Sequence, residues 1–549
     1  MRLKNEITCD VLVMGAGIAG IMAAISAAEA GADVCIASGT CICSGSSFYP
    51  GTWGLGLVGP ESEADEEDLE SVILNVGEGM ADPELVSVLV SHIHRGTERL
   101  KAFGIQLKEA EQKGEKEFIP CFDYKNRDWH GIVKDSARKV FQARLEELGV
   151  RSFPGTRILQ FIMTEGRVTG AVAIAEKNGL TAFSCKSLVV ASGGLGGLFQ
   201  YRLYTDDVTG LGQYLALRSG AKLVNIEFMQ MMPGYLSPAP KTIYNEKVFK
   251  YSNFCRQDTG RSVFEDWRKE DLEERLNVRS THGPFTSRLS SAPVDIRLFT
   301  EFLRNPKGVT VTYQDSLKQN QPEFVRTYFE WLKEEKHLTI DDPIQLGIFA
   351  HASNGGIKIG PDGSTGVPGL YACGEATGGM HGADRLGGLS TANGLVFGEI
   401  AGKSAAAFSG SSRQGPEWSD VSLSVIPDAG TCLKQIQEMN FECAMVIRNG
   451  ARAELALNKL ERLKVFCRRE AKEFREGDDV AGLDASCRLT AALYLSECLM
   501  KAVLLRKESR GSHYRWDYPE KKEKFSKRIL SVWDDLSLIH ISEPTRLAL

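Results

Sequence analysis

Thr8–Met14 (TCDVLVM) runs directly into Gly15-Ala16-Gly17-Ile18-Ala19-Gly20. An Ala-rich stretch to Ala30, a stop at Gly31 and a second apolar run, Asp33–Ala37 (DVCIA), follow. The order predicts strand, tight turn, helix and strand, a βαβ unit with the glycine fingerprint of a dinucleotide site in its first turn. Gly15 permits the turn, Gly17 lets the backbone approach a pyrophosphate, and Gly20 lets helix and strand pack closely. The helix N-terminus adds free N–H groups and the positive end of a dipole. One position departs. The fingerprint expects an acid after the second strand to hold ribose hydroxyls, and Ser38 stands there. A hydroxyl lacks the charge-assisted strength of a carboxylate, so the contact is weakened rather than lost. A glycine-rich turn that binds nothing is the bland alternative.

Outward from this unit, Ser44–Gly59 (SGSSFYPGTWGLGLVG) reads as a loop, and Asp65–Phe103 and Lys134–Leu148 as amphipathic helices. Arg167–Ile174 and Ser187–Ala191 read as strands, the second entering another glycine-rich turn at Gly193 and Gly194. From Tyr235 the chain becomes charged and poor in glycine clusters, with helical patterns such as Pro322–Lys336. The nucleotide-domain pattern resumes at Gly355–Ile359 and Gly369–Cys373, followed by Gly374–Gly388 (GEATGGMHGADRLGG) and a helix over Leu389–Phe408. The expected fold class is α/β. A discontinuous Rossmann-like domain (1–234 and 345–411) carries an inserted α+β capping domain (235–344), and a helical domain follows (418–535).

At 549 residues, two or three domains are expected. Glycine, 55 residues against a usual share of ~7%, is clustered between apolar runs as in nucleotide-binding folds. A net charge of -6 gives no basis for nucleic-acid binding. The 13 cysteines form no Cys-x-x-Cys, haem-attachment or iron–sulfur pattern, so no metal centre is expected and the thiols are read as reduced. The N-terminus has no signal-peptide core, and no apolar run reaches the ~18 residues of a membrane span. A cytoplasmic location is expected. Leu536–Arg546 (LSLIHISEPTR) looks like a translated sequencing adapter; residues 536–549 are set aside as a tail, with the natural C-terminus expected to be lost.

Several motifs together resemble the fumarate reductase, succinate dehydrogenase and L-aspartate oxidase flavoprotein family. They are the N-terminal fingerprint, Ala191–Gly194 (ASGG), Glu227–Pro233 (EFMQMMP), His351–Ile357 (HASNGGI), the Gly374–Gly388 segment and Glu508–Pro519 (ESRGSHYRWDYP). The resemblance implies FAD as cofactor. Gly15, Gly17, Gly20, Gly193 and Gly194 would lie at the cofactor, Glu375 would contact it, and Ser390 would stand near the isoalloxazine. Arg385 would bind a substrate carboxylate and His351 would be its second donor. Arg288 would match the proton-donating arginine, although Leu289 replaces the acid that normally follows it.

The departures matter as much. Met232 stands where the family has a second substrate-binding His, and Gly234 where it has Thr. The segment that supplies the proton relay has no recognisable counterpart. Leu211 replaces an Asp, and Gly45 or Ser46 occupies the place of the His that anchors FAD covalently, so FAD is expected to be non-covalent. His351 could also be an ordinary buried histidine, Arg385 a structural ion-pair partner, and Arg288 neither donor nor ligand. Arg385 with His351 suits one carboxylate; a second buried against Met232 would cost several kcal/mol. The expected reaction is reduction of the C=C bond of an unsaturated carboxylate other than fumarate. The electron donor is an unknown protein or diffusible reductant. Two other readings stand beside it: an oxidase or dehydrogenase resembling L-aspartate oxidase or succinate dehydrogenase, and a non-catalytic FAD-binding electron-transfer subunit.

Overall fold

The computed structural model describes residues 6–111, 114–175, 179–411, 415–475, 478–534 and 537–543. Its central sheet is ordered Arg151–Phe153, Val34–Ala37, Glu6–Met14, Gly179–Val190, Arg167–Ala175 and Thr156–Thr164, and Leu370–Ala372 also pairs with Gly179–Val190. The strands that bracket the fingerprint are parallel: Met14 lies against Ala37 on one side and Val190 on the other. Parallel strands covered on both faces read as continuous apolar runs, and Val11, Leu12, Val13, Leu188 and Val189 are accordingly all fully buried. The last two strands form an antiparallel edge.

Helix Ile18–Glu29 packs along Leu389–Ser411, and glycines set the closeness of that packing. A Cβ on Gly398 would lie 2.6 Å from the Ala19 carbonyl oxygen, and one on Gly402 2.2 Å from that of Ala23. Gly394 meets Ile18, Gly398 Ala19 and Gly402 Ala23, so residue numbers rise together and the helices are parallel. Ile18, the first residue of its helix, meets Gly394, five residues into the other, so the two N-termini point the same way but are offset along the pair.

The inserted segment forms a four-stranded antiparallel sheet ordered Met229–Ser237, Ile344–Ser353, Val309–Tyr313 and Ser252–Arg256, with helices Lys269–Arg279, Ala292–Arg304 and Glu323–Lys336. Its two outer connections to the nucleotide domain, Met229–Ser237 and Ile344–Ser353, pair with each other. Met232 and His351 are therefore borne on neighbouring strands. Beyond residue 415 helices Ala429–Ala444, Gly450–Glu470 and Val480–Leu505 pack together. That region is not wholly helical, for Arg528–Asp534 pairs with Leu223–Val224 and with Ser537–Glu543, so part of the adapter-like tail is drawn into the sheet. Among the described residues no helix is long and apolar enough to cross a membrane, and no cluster of His, Cys, Asp and Glu could hold a metal.

Candidate functional site

One cleft runs from the fingerprint turn to the inserted segment and touches most of the residues singled out from the sequence. Gly15, Gly17, Ser38, Gly193, Met232, His351, Glu375, Arg385 and Ser390 line it. Gly20, Gly194 and Arg288 are not among the lining residues.

At the fingerprint end the site is built from backbone. Gly15 has φ +111°, and a Cβ there would lie 2.3 Å from the Ala191 carbonyl oxygen. Gly20 acts from behind the turn: its Cβ would meet the Gly15 carbonyl oxygen at 1.9 Å. Gly17 begins the helix with no side-chain cap, and its nearest neighbours on the Cβ side, Ser44 O and Ser47 Oγ, are 3.5 Å away. Ile18 N–H donates to Ser47 Oγ (3.1 Å). Ser38 Oγ donates to the Cys41 carbonyl (2.9 Å) and lies 3.2 Å from Ser44 Oγ, so its hydroxyl already has local partners. Gly194 leaves room for Glu375, whose Oε1 would sit 2.4 Å from a Cβ at that position. Glu375 Oε1 accepts from Tyr204 OH (2.6 Å) and from Ser353 N–H (2.8 Å), while burial pushes its carboxyl up from the ordinary value.

Three cleft-lining residues on this side, Ser46, Ser192 and Asp207, carry a buried polar atom (Ser46 Oγ, Ser192 Oγ, Asp207 Oδ1) with no partner among the described residues. Native interiors seldom leave such atoms unmet. With the helix N-terminus at Gly17 beside them, the two hydroxyls can donate to the phosphates of a dinucleotide, and Asp207 Oδ1, which only accepts, suits an O–H or N–H of its ribose or base. The residues present suit FAD.

At the other end the site is built from side chains of distant segments. Arg385 Nε donates to Gln230 Oε1 (3.0 Å), its only hydrogen-bond partner among the described residues, and no carboxylate pairs with it. The outer edge of the guanidinium is left to the cleft. Burial pushes the His351 imidazole down to about 3, with Arg385 adding to the effect, so the ring is neutral. His351 Nδ1 and Gln230 Nε2 are buried without a partner among the described residues. Met232 belongs to an apolar group with Tyr49, Leu203, Ile243 and Phe349, and all but Phe349 face the cleft.

Cys121 and Glu246 also line this end, and neither stood out in the sequence. The Cys121 thiol donates to Glu246 Oε1 (3.3 Å) and accepts from Gly283 N–H (3.2 Å). No motif flanks either residue; only the tertiary fold gives them a place. Asp384 was likewise passed over. It accepts from Thr286 Oγ1 (2.6 Å) and from Arg288 Nε (3.2 Å), supplying from the far side of the chain the acid that Leu289 does not. Arg288 also stacks on Phe122, 4.9 Å from the ring centre. Burial pushes the Asp384 carboxyl up to about 6, against the opposing pull of Arg288 and Thr286.

The ESRGSH segment props this end from behind. Ser512 N–H and Oγ both donate to the Ala383 carbonyl (3.2 and 3.1 Å), and Ser287 N–H donates to the Gly511 carbonyl (2.8 Å). The turn bearing Arg385 is thus tied to the segment bearing Arg288.

Residues 10–391 match the family model described as FAD binding domain, and residues 433–542 the one described as fumarate reductase flavoprotein C-term. The chain is 26% identical over 541 residues to L-aspartate oxidase of Streptomyces coelicolor, covering 94% of this chain and 90% of that one. It is 25% identical over 583 residues to the fumarate reductase flavoprotein subunit of Haemophilus influenzae, covering 97% and 93%. Among solved structures, Mycobacterium smegmatis Sdh1 in complex with UQ1 superposes with a TM-score of 0.79 at 23% identity, over 99% of this chain and 95% of that one. That likeness is one of fold.

Proposed function

The chain belongs to the FAD-binding flavoprotein family and is an FAD-dependent oxidoreductase; on that premise we propose that it reduces the C=C bond of an α,β-unsaturated acid with one carboxylate. The observation that carries this reading is the unpaired outer edge of Arg385, open to the cleft beside neutral His351 and the unpartnered Gln230 amide. A guanidinium grips a carboxylate through two parallel N–H···O bonds. Gln230 holds Nε, so both Nη groups remain for the ligand. The His351 ring, neutral at working pH, adds a hydrogen bond without adding charge.

The apolar group around Met232 receives the rest of the substrate. A second carboxylate against it would be desolvated without a partner, at a cost of several kcal/mol, which disfavours fumarate itself. The fingerprint turn and helix N-terminus would hold FAD, which when reduced would supply the hydride for the β-carbon. Gly15, Gly17 and Gly193 would let backbone reach it, Ser390 stands in the first turn of the second helix, and Ser38 would lie on the ribose side. No histidine stands at Gly45 or Ser46, so the cofactor is held without a covalent bond. Its electrons come from a partner protein or a diffusible reductant.

Arg288 delivers the proton to the α-carbon. An arginine, with a pKa above ~12, is a reluctant acid; Asp384 at its Nε, pushed up to about 6, is the group that returns the proton. Because Arg288 does not line the cleft, delivery requires the segment that carries it to turn inward, as capping segments do when they close.

The test is to mix anaerobically reduced protein with a panel of unsaturated monocarboxylates and follow flavin absorbance and the saturated product. At least one should reoxidise the flavin rapidly. If every enoate leaves it reduced, while an amino acid reduces the oxidised protein and air restores it, the activity is that of an oxidase instead.

A further inference from the structure

The substrate end of the cleft holds two side chains of opposite charge type, and no described residue forms an ion pair with either. Arg385 is one. The other is Glu246, 7% exposed. Among the described residues its carboxyl meets only the Cys121 thiol. The adjacent cation does not help it, because Lys247 Nζ turns to the Ile119 carbonyl (3.4 Å). A nearby cation, Lys250, pairs with Glu117 (3.4 Å). Burial pushes the Cys121 thiol up to about 12, so at neutral pH it keeps its proton and occupies one lone pair of Glu246 Oε1. No described residue partners Oε2.

A buried carboxyl without a cation is costly unless something completes it. Glu246 is also held in place. It opens the short helical turn Glu246–Tyr251, where Asn245 Oδ1 accepts from Lys247 N–H (2.9 Å). The Cys121 carbonyl accepts from Gly387 N–H (3.1 Å), which ties the thiol that touches Glu246 to the turn bearing Arg385. A ligand gripped by Arg385 therefore has, in the same cleft, an apolar wall at Met232 and an acceptor at Glu246.

We propose that Glu246, with Cys121, forms a second subsite that accepts an N–H group of the substrate. The substrate class is then a carboxylate at one end and a nitrogen donor, either a protonated amine or a ring N–H, on an otherwise apolar remainder. This rests on the reading of Arg385 as the carboxylate site. It also sharpens the case against diacids, since a second carboxylate would meet Glu246 as well as Met232.

The experiment uses the FAD-loaded protein, oxidised, and three unreactive saturated probes: imidazolepropionate, phenylpropionate and succinate. Flavin absorbance perturbation and calorimetry give each dissociation constant. Wild type should bind imidazolepropionate at least about tenfold more tightly than the other two, a difference of about 1.4 kcal/mol. Glu246→Gln, of the same shape, should remove that advantage, leave phenylpropionate affinity unchanged and retain its flavin. Equal affinity for imidazolepropionate and phenylpropionate in wild type, or an advantage that survives Glu246→Gln, overturns the assignment. Arg385→Lys separates the two claims. It should weaken all three probes together, and if it weakens none, the carboxylate reading fails and the second subsite falls with it.

Discussion

The two ends of the cleft are made of different material. The cofactor end is backbone: a glycine at φ +111°, another whose Cβ would overlap the Gly15 carbonyl oxygen, and two parallel helices brought together by Gly394, Gly398 and Gly402. The substrate end is side chains, with Cys121, Gln230, Met232, Glu246, His351 and Arg385 converging from five segments of the chain. A backbone site tolerates no added atom but is indifferent to which side chains surround it. A side-chain site can lose or exchange one group and remain folded. Damage to the first should be all-or-none and damage to the second graded and selective.

The largest effect is expected at Gly15. Gly15→Ala places a Cβ 2.3 Å from the Ala191 carbonyl oxygen, in a backbone conformation that L-residues rarely adopt. The variant should purify without flavin and melt at lower temperature. A yellow protein with full flavin content would break the contrast at its strong end.

Arg385→Lys comes next. A point charge cannot reproduce the bidentate fork, so kcat/KM should fall by the equivalent of roughly 2–5 kcal/mol. Flavin content should not change. Loss of flavin with activity would show that the two ends are not separable.

How far each end can be read from sequence follows from the same difference. Gly15, Gly17 and Gly20 announce themselves because strand, turn and helix are contiguous, and a turn of that shape needs glycine at fixed spacing. Arg385 and His351 were legible only because glycine-rich motifs flank them. Glu246 sits in Tyr244-Asn245-Glu246-Lys247 and Cys121 after Ile119-Pro120, with nothing local to mark them. Their function depends on pairing between segments more than a hundred residues apart, which no local pattern encodes. Asp384 was in view inside HGADRLGG, but its bond to Arg288 spans 96 positions. Gly194 shows the opposite case: conspicuous in sequence, it makes room for Glu375 rather than facing the cleft itself.

A smaller effect should appear in pH dependence. The folded carboxyl of Asp384 titrates near 6, raised from 3.8 mainly by burial. The native state therefore holds this proton more tightly than the unfolded chain. Its contribution lowers stability as pH rises from about 4 to 6 and is level above that. Returning a proton to Arg288 needs protonated Asp384, so wild-type kcat should fall as pH rises through about 6, and Asp384→Asn should remove that limb at the cost of a lower plateau. His351, pushed down to about 3, should contribute no limb between pH 5 and 8. A surviving limb near 6 in the Asn variant would assign it elsewhere.

The smallest effect is expected from Met232→His. One restored donor should improve fumarate-like diacids a few-fold, in line with about 0.5–1.5 kcal/mol for a net hydrogen bond. Gly234 and Glu246 keep the gain partial. No change at all would mean that Met232 does not face the substrate.

The central claim is that the substrate end is built for one carboxylate on Arg385 with a less polar remainder toward Met232. It is tested most directly by stopped-flow reoxidation of the fully reduced wild-type protein, with fumarate and unsaturated monocarboxylates compared at equal concentration. The account predicts that at least one monocarboxylate reoxidises the flavin faster than fumarate. Fumarate outpacing every monocarboxylate would contradict it.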